Sequence, residues 1–176
     1  MQQQNDPRTT VLDLFREHGA AIYRFALVLC RRRDEAEDVV QETYLKLLQH
    51  LERGGDASNL RGWLFTVAAH ACRDRQRRRL RWLPWSETME PSVDPPPLRD
   101  EDGQLAAARD GLSRLPARDR LLLTLRAQGL SYRDIAGAAH IRPASVGRLL
   151  ARAIDRWEQT SSAPQPVPQA LGSVRK

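Results

Sequence analysis

The chain has 176 residues, with 28 Lys+Arg against 22 Asp+Glu, a net charge of +6, 41% hydrophobic residues and only 6% aromatics. No apolar run reaches the ~18–20 residues of a membrane-spanning helix, and the Gln-rich start carries no apolar signal core, so membrane insertion and export are not expected. Two cysteines, Cys30 and Cys72, build neither a disulfide framework nor a four-ligand metal site, which points to a reduced, cytoplasmic protein without metal or cofactor.

Hydrophobic periodicity is helical nearly throughout, and the expected fold class is all-α. Residues 1–9 are polar and read as disordered. In the first helix Leu12, Phe15, Ile22, Ala26 and Leu29 share one face. In the second, Ala36, Val39, Val40, Thr43, Leu47, Leu48 and Leu51 recur at spacings of three and four. Asp34 suits its N-cap, with Glu37 three residues on, and Gly54 and Gly55 suit its end. A third helix is expected after Ser58 and Asn59, with Leu60, Trp63, Leu64, Val67, Ala68 and Ala71 inward. It continues into Arg73, Arg75, Arg77, Arg78, Arg79 and Arg81, broken by Asp74. Three such helices make one small bundle, 10–82.

Residues 83–103 differ in kind. They hold Pro84, Pro91, Pro95, Pro96 and Pro97, and Arg99 is their only cation against six carboxylates. Consecutive prolines forbid a helix, so this is an acidic, semi-extended linker. By segment the net charge runs +4 over 1–82, −5 over 83–103, +6 over 104–157 and +1 over the rest.

Residues 104–158 return to helical patterning. A short helix is expected over 105–112, then one after Pro116 with Leu121, Leu122 and Leu125, stopped by Gly129. Ser131 with Asp134 is a capping-box variant opening the next. Pro143 suits the first position of the last helix, whose stripe is Val146, Leu149, Leu150, Ala153, Ile154 and Trp157. Short helix, tight turn and longer helix make a helix-turn-helix, whose second helix enters the major groove by its N-terminal end. Arg142, Ser145 and Arg148 lie where base edges are reached. Arginine bridges guanine O6 and N7, discriminating by about 1–3 kcal/mol. Arg152, Arg133 and Arg126 suit phosphates. Residues 159–176, rich in Ser, Pro and Gln, read as a disordered tail.

The basic third helix offers a second nucleic-acid surface. Asn59, Arg61, Trp63 and Phe65 cluster at its start. Trp63 falls on the apolar stripe, so Phe65 and the loop 54–59 are the better candidates to stack on an unpaired base. The histidines, His18, His50, His70 and His140, are scattered, and no catalytic motif is present, so an enzyme is not expected.

Several blocks resemble a known family. Asp34-Glu-Ala-Glu-Asp-Val-Val-Gln-Glu-Thr-Tyr-Leu-Lys-Leu-Leu48 resembles the core-binding helix of extracytoplasmic-function (ECF) bacterial RNA polymerase sigma factors. Leu60-Arg-Gly-Trp-Leu-Phe-Thr-Val-Ala-Ala69, with Asp74 and Arg77-Arg78, resembles that family's promoter-melting helix. Leu115-Pro-Ala-Arg-Asp-Arg120 and Gly129-Leu-Ser-Tyr-Arg-Asp-Ile-Ala136 resemble its C-terminal domain.

The resemblance implies two helical domains that recruit core RNA polymerase to promoter DNA. The second helix would dock on the polymerase largest subunit through Asp34, Glu37, Asp38, Gln41, Glu42 and Lys46. The −10 element would be held by Asn59, Arg61, Trp63, Phe65, His70, Asp74, Arg77 and Arg78. The −35 duplex would be read by Arg133, Arg142, Ser145, Arg148 and Arg152. The acidic linker would thread toward channels that carry RNA, and an anti-sigma factor is a further partner. Two departures stand out: His70 where many relatives have Asn, and Ala144-Ser-Val-Gly-Arg-Leu149 where Gly-Thr-Val-Lys-Ser-Arg is usual. The alternatives are a stand-alone helix-turn-helix regulator and a sigma-like adaptor that binds polymerase without reading promoters.

Overall fold

A computed structural model describes residues 6–82 and 111–162, with side chains over 6–79 and 111–160. The acidic linker and the helix expected from residue 105 up to 110 lie outside the described residues. Six helices carry the fold: α1 (Pro7–Cys30), α2 (Arg33–Glu52), α3 (Leu60–Trp82), α4 (Ala117–Ala127), α5 (Tyr132–Ala139) and α6 (Pro143–Ser162). Residues 111–114 add a helical turn, and no strand occurs among the described residues.

Local chemistry sets the helix ends. Asp6 caps α1 by accepting the Arg8 amide, and Pro7 takes the first helical position, where its missing N–H costs nothing. Helix therefore begins inside the 1–9 segment that composition alone reads as disordered. Arg31 closes α1 in the left-handed region at φ 63°. The cap expected for α2 is corrected: Arg32, extended at φ −138°, holds that position without a side-chain bond. Asp34 sits in the first turn instead, clasped by Arg32 at 3.1 and 2.7 Å. The anion still meets the positive end of the helix dipole. Asn59 caps α3, its Oδ1 accepting the Gly62 amide at 3.0 Å. Ser131 caps α5 as the capping-box pattern predicts, accepting the Asp134 amide at 3.2 Å. Helix α6 reaches Ser162, so residues 159–162 are helical rather than disordered.

The apolar faces of α1–α3 close over Ile22, Phe25, Val39, Leu47, Leu64 and Phe65, each no more than 1% exposed. The start of α1 departs from the expected stripe. Leu12 is 56% and Phe15 49% exposed, while Val11 and Leu14 of the same turns pack on the core in their place; the Phe15 ring meets Tyr44 edge-on at 5.0 Å. In α4–α6 the core is Leu122, Leu125, Ile135, Val146, Leu150 and Ala153, while Ile154 points outward. Full burial of one such aliphatic side chain is worth about 1.5–3 kcal/mol. Asp119 is buried at 2% exposure and neutralised by Arg156 from α6, which ties α6 back to α4. Buried residues of the two units form one continuous cluster, with α3 packed on α5 and α1 on α4.

Candidate nucleic-acid and polymerase interface

Helix α2 turns one face to solvent. Glu37, Asp38 and Gln41 are exposed there, with Asp34 one turn earlier. Glu42 is half-buried and doubly engaged: Lys46 Nζ donates to it at 2.7 Å and Arg75 Nη1 at 2.8 Å. Desolvation would raise its pKa, but these two cations outweigh it and hold the carboxyl below its ordinary value. Leu45, 61% exposed, sits one turn beyond Gln41 on the same face. It was not among the expected contacts, although its spacing from Asp38 and Gln41 places it there. An open groove of Phe15, Ala20, Tyr23, Val40 and Tyr44 adjoins this face between α1 and α2.

The start of α3 corrects the aromatic assignment. Phe65 is 1% exposed and meets Phe25 edge-on at 5.3 Å, so it is core and no base platform. Trp63 is the half-exposed ring, stacked on His50 at 4.8 Å. His50 also reaches the Asp56 carbonyl at 3.0 Å, and a Cβ at Gly55 would lie 2.2 Å from its ring. Gly55 is thus the residue that lets the 54–59 loop fold over His50 and carry Trp63 beside it. Asp56 binds the Ser58 amide and hydroxyl, both at 2.9 Å, which lowers its pKa and fixes the loop.

The arginines of α3 divide. Arg75 turns back onto α2, bonded to Glu42 and 4.0 Å from Asp38. Arg73 Nη2 donates to the Ala138 carbonyl at 2.9 Å. Arg77, Arg78 and Arg79 are exposed, as is Asp74. Two of the basic run, Arg73 and Arg75, are therefore satisfied within the protein, and Arg77, Arg78 and Arg79 are the exposed part of the surface expected from the whole run. His70 is half-buried and stacks on His140, and Asn59 and Arg61 reach α5 and the end of α4.

In the helix-turn-helix, Arg133, Arg142, Arg148 and Arg152 are exposed and Ser145 is half-exposed. Arg142, Ser145 and Arg148 surround the N-terminal turn of α6, the end that enters a groove. Arg156, one turn beyond Arg152 on α6, is paired with Asp119. Gly129, at φ 71°, supplies the left-handed residue that ends α4. Among the described residues no three His, Cys, Asp or Glu converge as a metal site, and no helix is long and apolar enough to cross a membrane.

Comparison with known proteins defines the class. The family model described as Sigma-70 region 2 matches residues 14–82, and that described as Sigma-70, region 4 matches residues 105–156. The chain is therefore built of the two helical regions of a sigma-type transcription factor. It is 33% identical over 134 residues to the ECF RNA polymerase sigma factor EcfG of Rhodopseudomonas palustris, covering 73% of this chain and 70% of that one. The chain belongs to the ECF sigma factors. The sigma factor SigL of Mycobacterium tuberculosis is 48% identical over 65 residues, and the match spans 36% of this chain and 37% of SigL. The sigma factor RpoE from Bartonella quintana, solved with the anti-sigma factor NepR, aligns with a TM-score of 0.71 at 27% identity over 84% of this chain and 96% of RpoE. CnrH, solved with the cytosolic domain of CnrY, aligns with a TM-score of 0.63 at 22% identity over 86% and 87%, a likeness of fold.

Proposed function

We propose that the chain is an alternative sigma factor acting in the cytoplasm: it binds core RNA polymerase, opens a promoter and directs initiation, without enzymatic activity of its own. The observation that carries this is a division of labour among polar groups. Glu37, Asp38 and Gln41 on α2, Arg77–Arg79 on α3 and Arg142, Arg148 and Arg152 on the helix-turn-helix are all exposed. Arg75 and Arg156, by contrast, are paired within the fold.

In this reading the α2 face, including Leu45, docks on polymerase. Trp63, Arg77 and Arg78, with the 54–59 loop, meet the opened −10 element. Arg142, Ser145 and Arg148 read −35 base edges, while Arg133 and Arg152 hold phosphates. A Cβ on Gly147 would meet only Tyr132 Cε2, at 3.6 Å, an ordinary contact. The cation usual in relatives is thus replaced by choice of residue and not for lack of space, and readout passes to Arg148. An anti-sigma partner is part of the proposal, since RpoE was solved with one.

The test is capture of core polymerase by the folded chain. Charge reversal of Asp38 together with Glu42 should weaken capture at least tenfold. Undiminished capture would remove the assigned surface, and no capture by the wild type would leave a stand-alone DNA-binding regulator.

A further inference from the structure

The side of α3 that carries Asn59, Arg61, His70 and Arg73 is occupied, in this structure, by the chain's own helix-turn-helix. Asn59 Nδ2 donates to Asp134 Oδ1 at 2.8 Å. Arg61 donates to the backbone carbonyl of Gln128, the C-cap of α4, and Arg73 to that of Ala138 in the last turn of α5. Both guanidiniums hold carbonyls at helix C-termini, the negative ends of helix dipoles. A guanidinium engaged in this way is not free to bind a phosphate. Gly62 permits the approach, because a Cβ there would lie 2.7 Å from Asp134 Oδ1.

Beside these bonds two imidazoles stack, the half-buried His70 of α3 and the exposed His140 at the end of α5, with centroids 4.4 Å apart and planes 10° from parallel. Each is an unusual choice for its place. His140 takes the left-handed region at φ 53°, where glycine is the residue without strain. His70 buries Nε2 with no hydrogen-bond partner. A stack of neutral rings suits this site, and two imidazolium ions face to face do not. The charged surroundings favour neutrality on balance. On α3, Arg73 repels an added proton and Asp74 attracts one. From α5, His140 opposes it and the Gly137 carbonyl favours it. Asp134, further along α5, is engaged by Asn59 and Ser131. From α4, Arg118 lines the same interdomain cavity as Arg73.

We propose that the His70–His140 stack is a proton-sensitive latch, which holds the helix-turn-helix over α3 while His70 is neutral and releases it when His70 is protonated. Burial, with His140 and Arg73, holds the pKa of His70 below the ordinary 6.5. The closed form therefore binds fewer protons at this site than the open one. Closure is fully present above about pH 6.5 and is lost as pH falls through the lower value of the closed form. The consequence for promoter access rests on reading α3 as a DNA surface; the latch itself is a property of the free chain.

The experiment is small-angle X-ray scattering of the free, full-length chain from about pH 8 to about pH 5.5, the range in which histidine titrates. The radius of gyration should rise as pH falls, with helicity by circular dichroism unchanged. His140→Asn, which tolerates the left-handed region, and His70→Asn should each abolish that dependence. A constant wild-type radius, or an unchanged transition in both variants, would overturn the latch. NMR of the wild-type His70 ring protons makes the test independent of variants: their shift must follow the radius, and a His70 titration without expansion overturns the latch. Binding of single-stranded promoter DNA should rise with the expansion. Expansion without that rise would uphold the latch and count against the DNA reading of α3.

Discussion

Replacing Arg75 by alanine separates a structural arginine from a nucleic-acid one. Its side chain is 18% exposed, and the guanidinium bonds Glu42 at 2.8 Å and lies 4.0 Å from Asp38. A hydrogen bond to a charged group is worth about 1.5–3 kcal/mol when well buried. Glu42 is 36% exposed, so solvent screens the pair, and about 0.5–1.5 kcal/mol is the appropriate expectation. With unfolding entropy typical of a chain this size, the midpoint should fall by roughly 1–6 °C. Calorimetry on the wild type, Arg75→Ala, Glu42→Gln and the double variant gives the coupling directly. The pH dependence has a definite sign. Glu42 is held below its ordinary 4.5, so its contribution is present above that value and is lost as pH falls through the lowered one. Wild type and Arg75→Ala should converge in stability at strongly acidic pH. Equal midpoints at neutral pH, or a coupling of zero, would refute the tie between α2 and α3 and return Arg75 to the solvated run.

Leu45→Asp should reduce polymerase capture at least tenfold while leaving the unfolding midpoint within a degree or two, since the side chain is 61% exposed; filter-binding and calorimetry on one preparation check both. Arg148→Ala should cost about 1–3 kcal/mol on duplex −35 DNA and little on a scrambled duplex, read by fluorescence anisotropy. The same titrations should weaken steeply with salt, as counterions are released from phosphates. Ser131→Ala removes the α5 cap and should cost about 1 kcal/mol, a midpoint shift seen in the same scans.

The helices were legible because each advertises its period and its ends. Ser131, Asp134, Pro143 and Gly129 act locally, within a turn of their own positions. What the sequence misplaced depended on angles or distances that a stripe does not contain. Phe65 and Trp63 lie two positions apart on α3, about 200° around the helix. Both are aromatic, and only packing against Phe25 or His50 decides which is core. Arg73 and Arg75 look alike in a basic run, and their separate ties to Ala138 and Glu42 depend on tertiary approach. Leu12 and Phe15 are as apolar as Val11 and Leu14, and only the way α1 docks on its neighbours decides that the second pair faces the core. The contact between α3 and α5 spans 75 residues in sequence at Asn59 and Asp134, and no local pattern announces it.

The central claim is tested most directly by run-off transcription with purified core polymerase on fragments of the source genome. Adding this chain should produce discrete transcripts that core polymerase alone does not make. Those transcripts should be lost when Asp38 and Glu42 are charge-reversed. Transcripts unchanged by the chain, from core polymerase that demonstrably binds it, would contradict the account and leave an adaptor that holds polymerase without reading a promoter.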